Sequence, residues 1–275
     1  GVEAFPALIY TVLCLTIPES PCWLILNKGD KAAGKEVLGK INTEMSEAEL
    51  DALVDEIAES GSHKVSQHGF LSKKLAKPML LVFFLSAFNQ LSGINAVLYF
   101  APRIFEMGGL GEKSALLQSI GIGVTNVIFT FIGLYLIDKA GRRILLLIGS
   151  VGYITSLGLC AWSFATESFT YMPYFIFAFI GSHGIGQGAV IWVYISEIFP
   201  ARHRAHGTSF GVSVHWVFAA VITLVFPVMV GQFDTQYIFG FFCAMMVLQL
   251  LWVIFIVPET KGRSLEHMEE TLDIT

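Results

Sequence analysis

Four amide side chains interrupt long apolar stretches of this sequence. Asn89, Gln90 and Asn95 lie close together in one stretch, and Asn126 lies in the next. An amide donates and accepts hydrogen bonds without carrying a charge, and polar side chains at membrane depth are functional candidates because burying them is costly. The four amides therefore predict a binding site for a neutral solute that carries hydroxyl groups. Hydrogen bonding between helices is the alternative for the same side chains.

Aromatic side chains supply the flat apolar surface that the ring of such a solute needs. Trp192 and Trp216 each offer an indole face and an N–H donor, and Tyr99 is a third candidate. Trp216 and Tyr99 are equally consistent with packing or with an aromatic gate. His183 and His215 also fall at predicted membrane depth, where a histidine either contacts the solute or packs with a hydrogen bond to a neighbour.

Charged residues are absent from the interior of the last six apolar stretches, which disfavours both a cationic and a strongly anionic solute. The whole chain is 54% hydrophobic and only 14% charged, whereas soluble domains carry about 25% charged residues. This composition favours a membrane protein. No arrangement resembles a nucleophile with its base, a cofactor site or a metal site, so we expect neither an enzyme nor a nucleic-acid partner.

Seven apolar stretches have the length of about 20 residues that a helix needs to cross a bilayer. They cover residues 2–18, 79–102, 114–137, 144–166, 171–196, 207–231 and 236–257. We therefore predict an all-α polytopic membrane protein, and because the chain begins at Gly1 we expect it to be truncated at its N-terminus. The predicted parts are one membrane helix (1–18), a hydrophilic segment (19–77), a six-helix bundle (78–258) and a tail (259–275).

The basic residues are distributed so that they fix one orientation in the membrane. Fifteen of the 17 Lys and Arg fall in the 19–77 segment, in every second loop after it, or in the tail; Arg103 and Lys113 are the exceptions. Cytoplasmic loops carry the excess of basic residues in membrane proteins. The 19–77 segment and the C-terminus are therefore predicted to be cytoplasmic, in a multi-pass protein of the plasma membrane.

The hydrophilic segment contains signals for short amphipathic helices. Ser46 and Glu49 form a capping box, which precedes an apolar face of Leu50, Leu53, Val54 and Ile57 at helical spacing. Asp30 is placed to cap an earlier helix. A solvated linker with only nascent helix is the alternative.

Five short motifs occur in order at the ends or in the middle of the predicted spans. Residues 18–23 read PESPCW, 89–95 NQLSGIN, 138–143 DKAGRR, 196–200 SEIFP between Trp192 and Arg204, and 258–266 PETKGRSLE. Together they resemble the signatures of the sugar porter family of the major facilitator superfamily, as in glucose facilitators and xylose–proton symporters. One span, a hydrophilic segment and six further spans then correspond to the last helix of the N-terminal half, the central linker and the C-terminal six-helix bundle.

The resemblance implies transport of a monosaccharide, a hexose or a pentose, by alternating access across a lipid bilayer. The sugar-binding positions it implies, with the two histidines added as candidates, are Asn89, Gln90, Asn95, Tyr99, Asn126, Trp192, Trp216, His183 and His215. It also implies a cytoplasmic gate network of ionic groups, formed by Glu19, Asp138, Arg142, Arg143, Glu197, Arg204 and Glu259. A straight helix would place Gln90 and Tyr99 on opposite sides, so we predict a break near Gly93.

The chain departs from the family pattern at several positions. Cys22 replaces the Arg of the first motif, Asn89 replaces a Gln, and Gly184 stands where a Glu is expected. His215 replaces the Asn or Gln that usually precedes Trp216. These differences do not decide between fructose and glucose as the substrate.

Two questions stay open at the level of sequence. A proton symporter and a facilitator are both consistent with these residues, and a membrane sugar sensor that binds without flux is the alternative to a transporter. The glycine-rich stretch 181–188 has no preceding strand, so it predicts close helix packing or local unwinding and not a nucleotide site.

Overall fold

A computed structural model describes residues 4–62, 72–109, 111–200, 203–262 and 272 of the chain. These residues form helices, turns and short connections, with no strand among them. The chain divides into two compact units, residues 1–67 and 68–275. Much of the predicted tail, and with it Arg263, lies outside the described residues.

The first unit opens with helix α1, Ala4–Cys14. Its 11 residues are fewer than the about 20 that a bilayer core requires, and turns continue the chain to Ile17. The spanning role predicted for residues 1–18 therefore stays a prediction.

Short capped helices follow in the hydrophilic segment, as the sequence indicates. They are α2 (Pro21–Trp23, continued by a π-helical turn to Lys28), α3 (Lys31–Ile41) and α4 (Glu47–Ser62). Asp30 accepts from the backbone N–H of Ala33 at 2.9 Å. The Ser46 N–H donates to Glu49 at 2.8 Å, and the Glu49 N–H donates back to the Ser46 hydroxyl at 3.4 Å. The predicted capping box is confirmed.

The apolar faces of these short helices meet in a small core of their own. Leu50 and Val54 of α4 pack with Leu38 of α3 and Ile25 of the π-helical turn. Lys35 on α3 forms ion pairs with Glu47 and Asp51 on α4.

The described part of the second unit contains six apolar helices of membrane-spanning length, which confirms that six of the seven predicted stretches are helical. Two of the six are interrupted. A single 3₁₀ turn, Lys73–Leu75, leads into the first of them. The helical segments are α5 (Ala76–Leu91) and α6 (Ile94–Met107), α7 (Glu112–Ala140), α8 (Arg142–Ala165), α9 (Met172–His183) and α10 (Ala189–Glu197), α11 (Arg204–Gln232) and α12 (Thr235–Phe255).

The first interruption separates α5 from α6 and confirms the predicted break. Gly93 adopts the left-handed conformation, with φ of 82°. A Cβ there would also lie 2.6 Å from the ring of Phe242, so both conformation and space require glycine. The break directs the last turn of α5 into the bundle, where Asn89 and Gln90 are almost fully buried.

The second interruption is the π-helical segment Gly184–Gly188 between α9 and α10. A Cβ on Gly133 of α7 would lie 2.6 Å from the carbonyl oxygen of Gly184, and a Cβ on Gly186 would lie 2.8 Å from the Cα of Gly149 in α8. The predicted unwinding and close packing of this glycine-rich stretch are confirmed. The segment carries Gln187 into the interior, where its side chain is fully buried.

Candidate functional site

The centre of the site is a cluster of one histidine, two indoles and one amide. The ring of His215 in α11 lies between Trp192 of α10 and Trp216, with ring centroids 4.9 Å and 5.3 Å away. Gln90 at the end of α5 places its Nε2 3.1 Å from Nε2 of His215. Gln90 and His215 are buried, whereas the two indoles are 43% and 56% exposed. The cluster thus combines a buried polar floor with open aromatic faces.

A chain of hydrogen bonds runs from this cluster into the interior of the bundle. We call it the amide chain and define it by Gln90, Asn89, Gln187, Gln249 and Ser150. The Gln90 amide donates to Asn89 at 3.0 Å, and Asn89 donates to Gln187 at 3.5 Å. Gln187 donates to Gln249 in α12 at 2.8 Å, and Gln249 donates to the hydroxyl of Ser150 in α8 at 2.7 Å. All five side chains are buried.

Two amide oxygens of the predicted site are buried without a hydrogen-bond partner among the described residues. They are Oε1 of Gln90 and Oδ1 of Asn126. Buried polar atoms are nearly always paired in native proteins, and leaving one unpaired costs about 1–3 kcal/mol. Each of the two oxygens therefore lacks the hydrogen-bond donor that a water or a ligand would supply.

The second histidine has a different environment from the first. His183, in the last turn of α9, lies with its Nδ1 2.6 Å from the hydroxyl of Tyr153. Tyr153 belongs to α8 and is fully buried. This contact is the hydrogen-bonded packing that the sequence leaves as the alternative to ligand binding.

The remaining predicted sugar-binding residues do not join the hydrogen-bonded cluster within the part of the chain that the structure describes. Asn95 lies half-buried in the first turn of α6, and Asn126 is half-buried in α7. Tyr99 is 59% exposed on α6, beyond the break. No described contact links these three side chains to the central cluster, so their part in sugar binding stays a prediction.

The position where the family carries a Glu has no room for a side chain in this bundle. A Cβ on Gly184 would lie 2.9 Å from backbone atoms of Phe129 in α7. The departure at this position is thus tied to the close approach of α7 and the π-helical segment.

Ionic groups gather at one end of the bundle, where α7 ends, α8 begins and α10 ends. The Arg142 guanidinium donates to both carboxylate oxygens of Glu197, at 2.7 Å and 3.0 Å. It also forms an ion pair with Asp138, at 3.0 Å. Thr260 also donates to Glu197, at 2.6 Å. We call Asp138, Arg142, Glu197, Glu259 and Thr260 the charged cluster.

Glu259 caps the N-terminus of α8. Its carboxylate accepts from the backbone N–H groups of Arg142 and Arg143 at 2.9 Å and 3.1 Å, where the helix dipole favours an anion. A Cβ on Gly141 would lie 2.6 Å from this carboxylate, and φ of 97° at Gly141 also requires glycine. The Arg143 guanidinium donates to the carbonyl of Ile254 at the end of α12, at 2.6 Å.

The predicted gate network also includes Arg204 and Glu19. Arg204, at the start of α11, has a buried Nε without a hydrogen-bond partner among the described residues. Glu19 belongs to the first unit, between α1 and α2. Arg202 of the neighbouring loop lies outside the described residues.

Sequence reasoning missed several residues that the structure brings into these clusters. Gln187 is hidden in the glycine-rich stretch, while Gln249 is an isolated amide in a strongly apolar span. Applying to Gln249 the rule that selected Asn126, that a polar side chain in a span is a functional candidate, would have found it. Ser150 and Tyr153 carry no such signal, since serine and tyrosine are common in packed membrane helices.

Comparisons with known proteins agree with this arrangement. The family model described as Sugar (and other) transporter matches residues 1–272. The glucose transporter GlcP of Staphylococcus epidermidis is 33% identical over 277 residues, which are 99% of this chain and 61% of that protein. The D-xylose-proton symporter of Escherichia coli is 33% identical over 280 residues, covering 97% and 55%.

Solved structures show the same fold. The major facilitator superfamily proton:xylose symporter XylE bound to 6-bromo-6-deoxy-D-glucose matches with a TM-score of 0.87 and 31% identity, over 98% of this chain and 58% of that one. The inward open conformation of XylE from E. coli matches with a TM-score of 0.70 and 30% identity, over 98% and 55%. The chain spans about three fifths of the length of the curated relatives it matches. It belongs to the sugar transporter family, and its six apolar helices form a helix bundle of the major facilitator fold.

Proposed function

We propose that the protein containing this chain moves a monosaccharide, a hexose or a pentose, across a membrane by alternating access. The observation that carries the proposal is the pair of buried acceptor oxygens without partners, on Gln90 and Asn126. Both lie on side chains where the family resemblance implies sugar contacts. A sugar hydroxyl supplies the donor that each oxygen lacks.

The chemistry of the central cluster supports a neutral, ring-shaped solute. Its polar floor is uncharged, and the exposed indole faces of Trp192 and Trp216 offer flat apolar surface to the C–H face of a sugar ring. Names among the relatives point to the same class of substrate, since they are called transporters or symporters of glucose, arabinose and xylose.

We assign the orientation from the distribution of basic residues. Residues 19–77 form the cytoplasmic linker that follows the last helix of the N-terminal half (1–18), and residues 78–258 form the C-terminal bundle in the plasma membrane. The tail, 259–275, is cytoplasmic. The positive-inside rule supports this arrangement, because fifteen of the 17 basic residues then lie on one side.

The charged cluster then lies at the cytoplasmic end of the bundle and acts as part of a gate. Its contacts join the ends of α7, α8 and α10 to the segment after α12. A network that forms in only one of two conformations biases the equilibrium between them by its differential stability. The family resemblance also assigns Arg204 and Glu19 to this gate.

Uptake of radiolabelled sugars into proteoliposomes tests the proposal. The protein that contains this chain should take up at least one of glucose, xylose, arabinose and fructose above the level of empty liposomes. Gln90→Ala should reduce uptake of that sugar at least tenfold, because it removes both a contact to the sugar and the donor to Asn89. Ser119→Ala is the matched control, since that hydroxyl bonds only to a backbone carbonyl of its own helix.

The same preparation separates the alternatives that the sequence leaves open. Binding of a sugar without flux would contradict transport and indicate a sensor. Sugar-driven alkalinisation of the external medium would identify a proton symporter, and uptake indifferent to an imposed pH gradient would identify a facilitator.

A further inference from the structure

The amide chain ends at the hydroxyl of Ser150, which has one proton and can therefore donate only one hydrogen bond. The hydroxyl of Ser150 donates to the backbone carbonyl of Leu146 at 2.7 Å, and a carbonyl oxygen can only accept. The Ser150 hydroxyl has one proton, so towards Gln249 it must act as an acceptor. Ser150 is thus the anchor of the amide chain, because it requires that Gln249 act as the donor in the hydrogen bond between them.

The direction set at the anchor passes along the chain, since each amide has one oxygen and one NH₂ group. Gln249 must turn its NH₂ to Ser150 and so its oxygen to Gln187. Gln187 then turns its NH₂ to Gln249 and its oxygen to Asn89. By the same alternation, Asn89 offers its oxygen to Gln90, and Gln90 uses its NH₂ to reach Asn89.

The far end of the chain is Gln90, one of the predicted sugar-binding residues. The NH₂ group of Gln90 is occupied by Asn89 and lies 3.1 Å from a ring nitrogen of His215. Its oxygen Oε1 has no partner among the described residues. Reversing this one amide would leave two acceptor oxygens facing each other at Asn89, so the anchor Ser150, four hydrogen bonds away along the amide chain, decides which atom Gln90 presents.

We propose that Gln187, Gln249 and Ser150 are positioning residues that hold the Gln90 amide with its oxygen towards the substrate. The site consequently demands a hydroxyl donor from the sugar at that point and rejects a group that can only accept. This inference rests on the proposed function, because it assumes that a sugar reaches Gln90. Neither Gln187, Gln249 nor Ser150 contacts the sugar in this mechanism.

Burying a polar side chain inside the bundle is costly. A positioning role explains why Gln187, Gln249 and Ser150 are nevertheless found there. Gln187, Gln249 and Ser150 are each fully buried, and they come from three different segments of the bundle. Simple interhelical bonding would not require that the bonds point in one direction or that the series end on an unpaired oxygen of a candidate sugar ligand.

Deoxy and deoxyfluoro sugars distinguish an acceptor from a donor at Gln90. A deoxy sugar loses the hydroxyl entirely, whereas fluorine keeps a weak acceptor and loses the donor. Dissociation constants would be measured for both analogues at each ring position of the transported sugar. The position that contacts Gln90 is the one at which Gln90→Ala removes the difference between the hydroxyl and the deoxy compound, as in a double-mutant cycle.

At that position the wild-type protein should bind the deoxyfluoro sugar about tenfold more weakly than the parent sugar, and no better than the deoxy sugar. Gln249→Met and Gln187→Met keep the volume but break the chain, which frees the Gln90 amide to rotate. Each should reduce the tenfold discrimination to about threefold or less. Ser156→Ala is the matched control. This buried hydroxyl of α8 also donates to backbone carbonyls of its own helix, but among the described residues it bonds to no amide side chain.

Two results would overturn the inference. One is a wild-type protein that prefers the deoxyfluoro over the deoxy sugar, since Gln90 would then present its NH₂ group. The other is a parallel loss of affinity for all analogues in the two Met variants, which is the behaviour of packing residues. Failure of the proposed function looks different, because the wild-type protein would then bind none of the parent sugars.

Discussion

The amide chain and the charged cluster are two polar networks within the same bundle, and they use opposite kinds of chemistry. The amide chain is neutral, and each of its members is buried. In the charged cluster, by contrast, the side chains of Asp138 and Glu197 are 78% and 30% exposed. Ions lose much of their hydration energy in a low-dielectric interior, whereas an amide keeps its hydrogen-bonding capacity without a charge to desolvate.

The difference also separates what each network can specify. A carboxylate accepts from any donor around it, so the charged cluster has strength but little direction: Glu259 and Glu197 between them accept from backbone, hydroxyl and guanidinium groups. An amide chain has direction, because each link fixes the next. The neutral network therefore suits discrimination among similar hydroxylated solutes, and the charged network suits a contact that opens and closes.

The largest loss of stability is expected from removing the carboxylate of Glu197, which lies at the centre of the charged cluster. Glu197→Leu leaves the Arg142 guanidinium, whose side chain is 9% exposed, with only the exposed Asp138 as its carboxylate partner. Breaking a buried pair from one side costs about 3–5 kcal/mol, and partial exposure of Glu197 should bring the loss of stability to about 2–4 kcal/mol. Thermal unfolding in detergent measures it.

Asp138→Asn is the control on the other side of the same guanidinium. Because Asp138 is mostly exposed, its pair with Arg142 should contribute less than about 1 kcal/mol. Equal destabilisation by the two variants would show that burial does not decide the strength of these ion pairs, and the contrast between the two networks would lose its physical basis.

An intermediate loss of stability is expected from overpacking beside the π-helical segment that carries Gln187. Gly133→Ala adds a Cβ that would lie 2.6 Å from the Gly184 carbonyl oxygen and 2.9 Å from the Cβ of Ala189. Such overpacking costs about 1–3 kcal/mol. The strain should displace the π-helical segment that carries Gln187, and thereby weaken sugar discrimination.

The charged cluster should be affected less than Gln187 by that change, because Glu197 lies at the opposite end of α10 from the π-helical segment. Gly123→Ala is the matched control on the same helix, since a Cβ there meets nothing within 4 Å. Sugar binding and thermal unfolding should both be close to wild type in this variant. Similar behaviour of the two alanine variants would mean that close approach at Gly133 does not hold the segment.

Some of these features were predictable from sequence because they depend on local chemistry. Length and hydropathy predict seven spans, of which six are helices of membrane-spanning length. Gly93 marks the break in the first of these six, and Ser46 with Glu49 defines a helix start. Each of these depends on residues close together in the chain. The capping box needs only a hydroxyl and a carboxylate three positions apart.

The pairing of distant polar groups was not predictable. Gln249 and Ser150 meet only because α12 packs along α8 in one particular register, and no pattern within either span encodes that register. The sequence likewise places Arg204 near Glu197, yet the described contacts of Glu197 go to Arg142 and Thr260. Which of several plausible partners a side chain takes is decided by packing across the bundle.

The smallest effect is expected at an exposed carboxylate outside both networks, Glu49 in the capping box of α4. Hydrogen bonds from the backbone and hydroxyl of Ser46 hold the pKa of the Glu49 carboxyl below its usual range. A lowered pKa in the folded state means that the contribution to stability is present above the unfolded value of about 4.3 and is lost as pH falls through the folded value. The start of α4 should therefore be insensitive to pH between about 5 and 8 and weaken only in acid.

Ser46→Ala should move the titration of Glu49 towards its ordinary value, measured by the carboxyl ¹³C shift and assigned with Glu49→Gln. Glu36 serves as the internal control, because Lys40 and not Ser46 holds its pKa low. A shift of both carboxyls would indicate a change in α3 and α4 together. A shift of Glu49 alone would show that an exposed carboxylate here responds only to its own cap, whereas Glu197 and Glu259 in the charged cluster each accept from several partners.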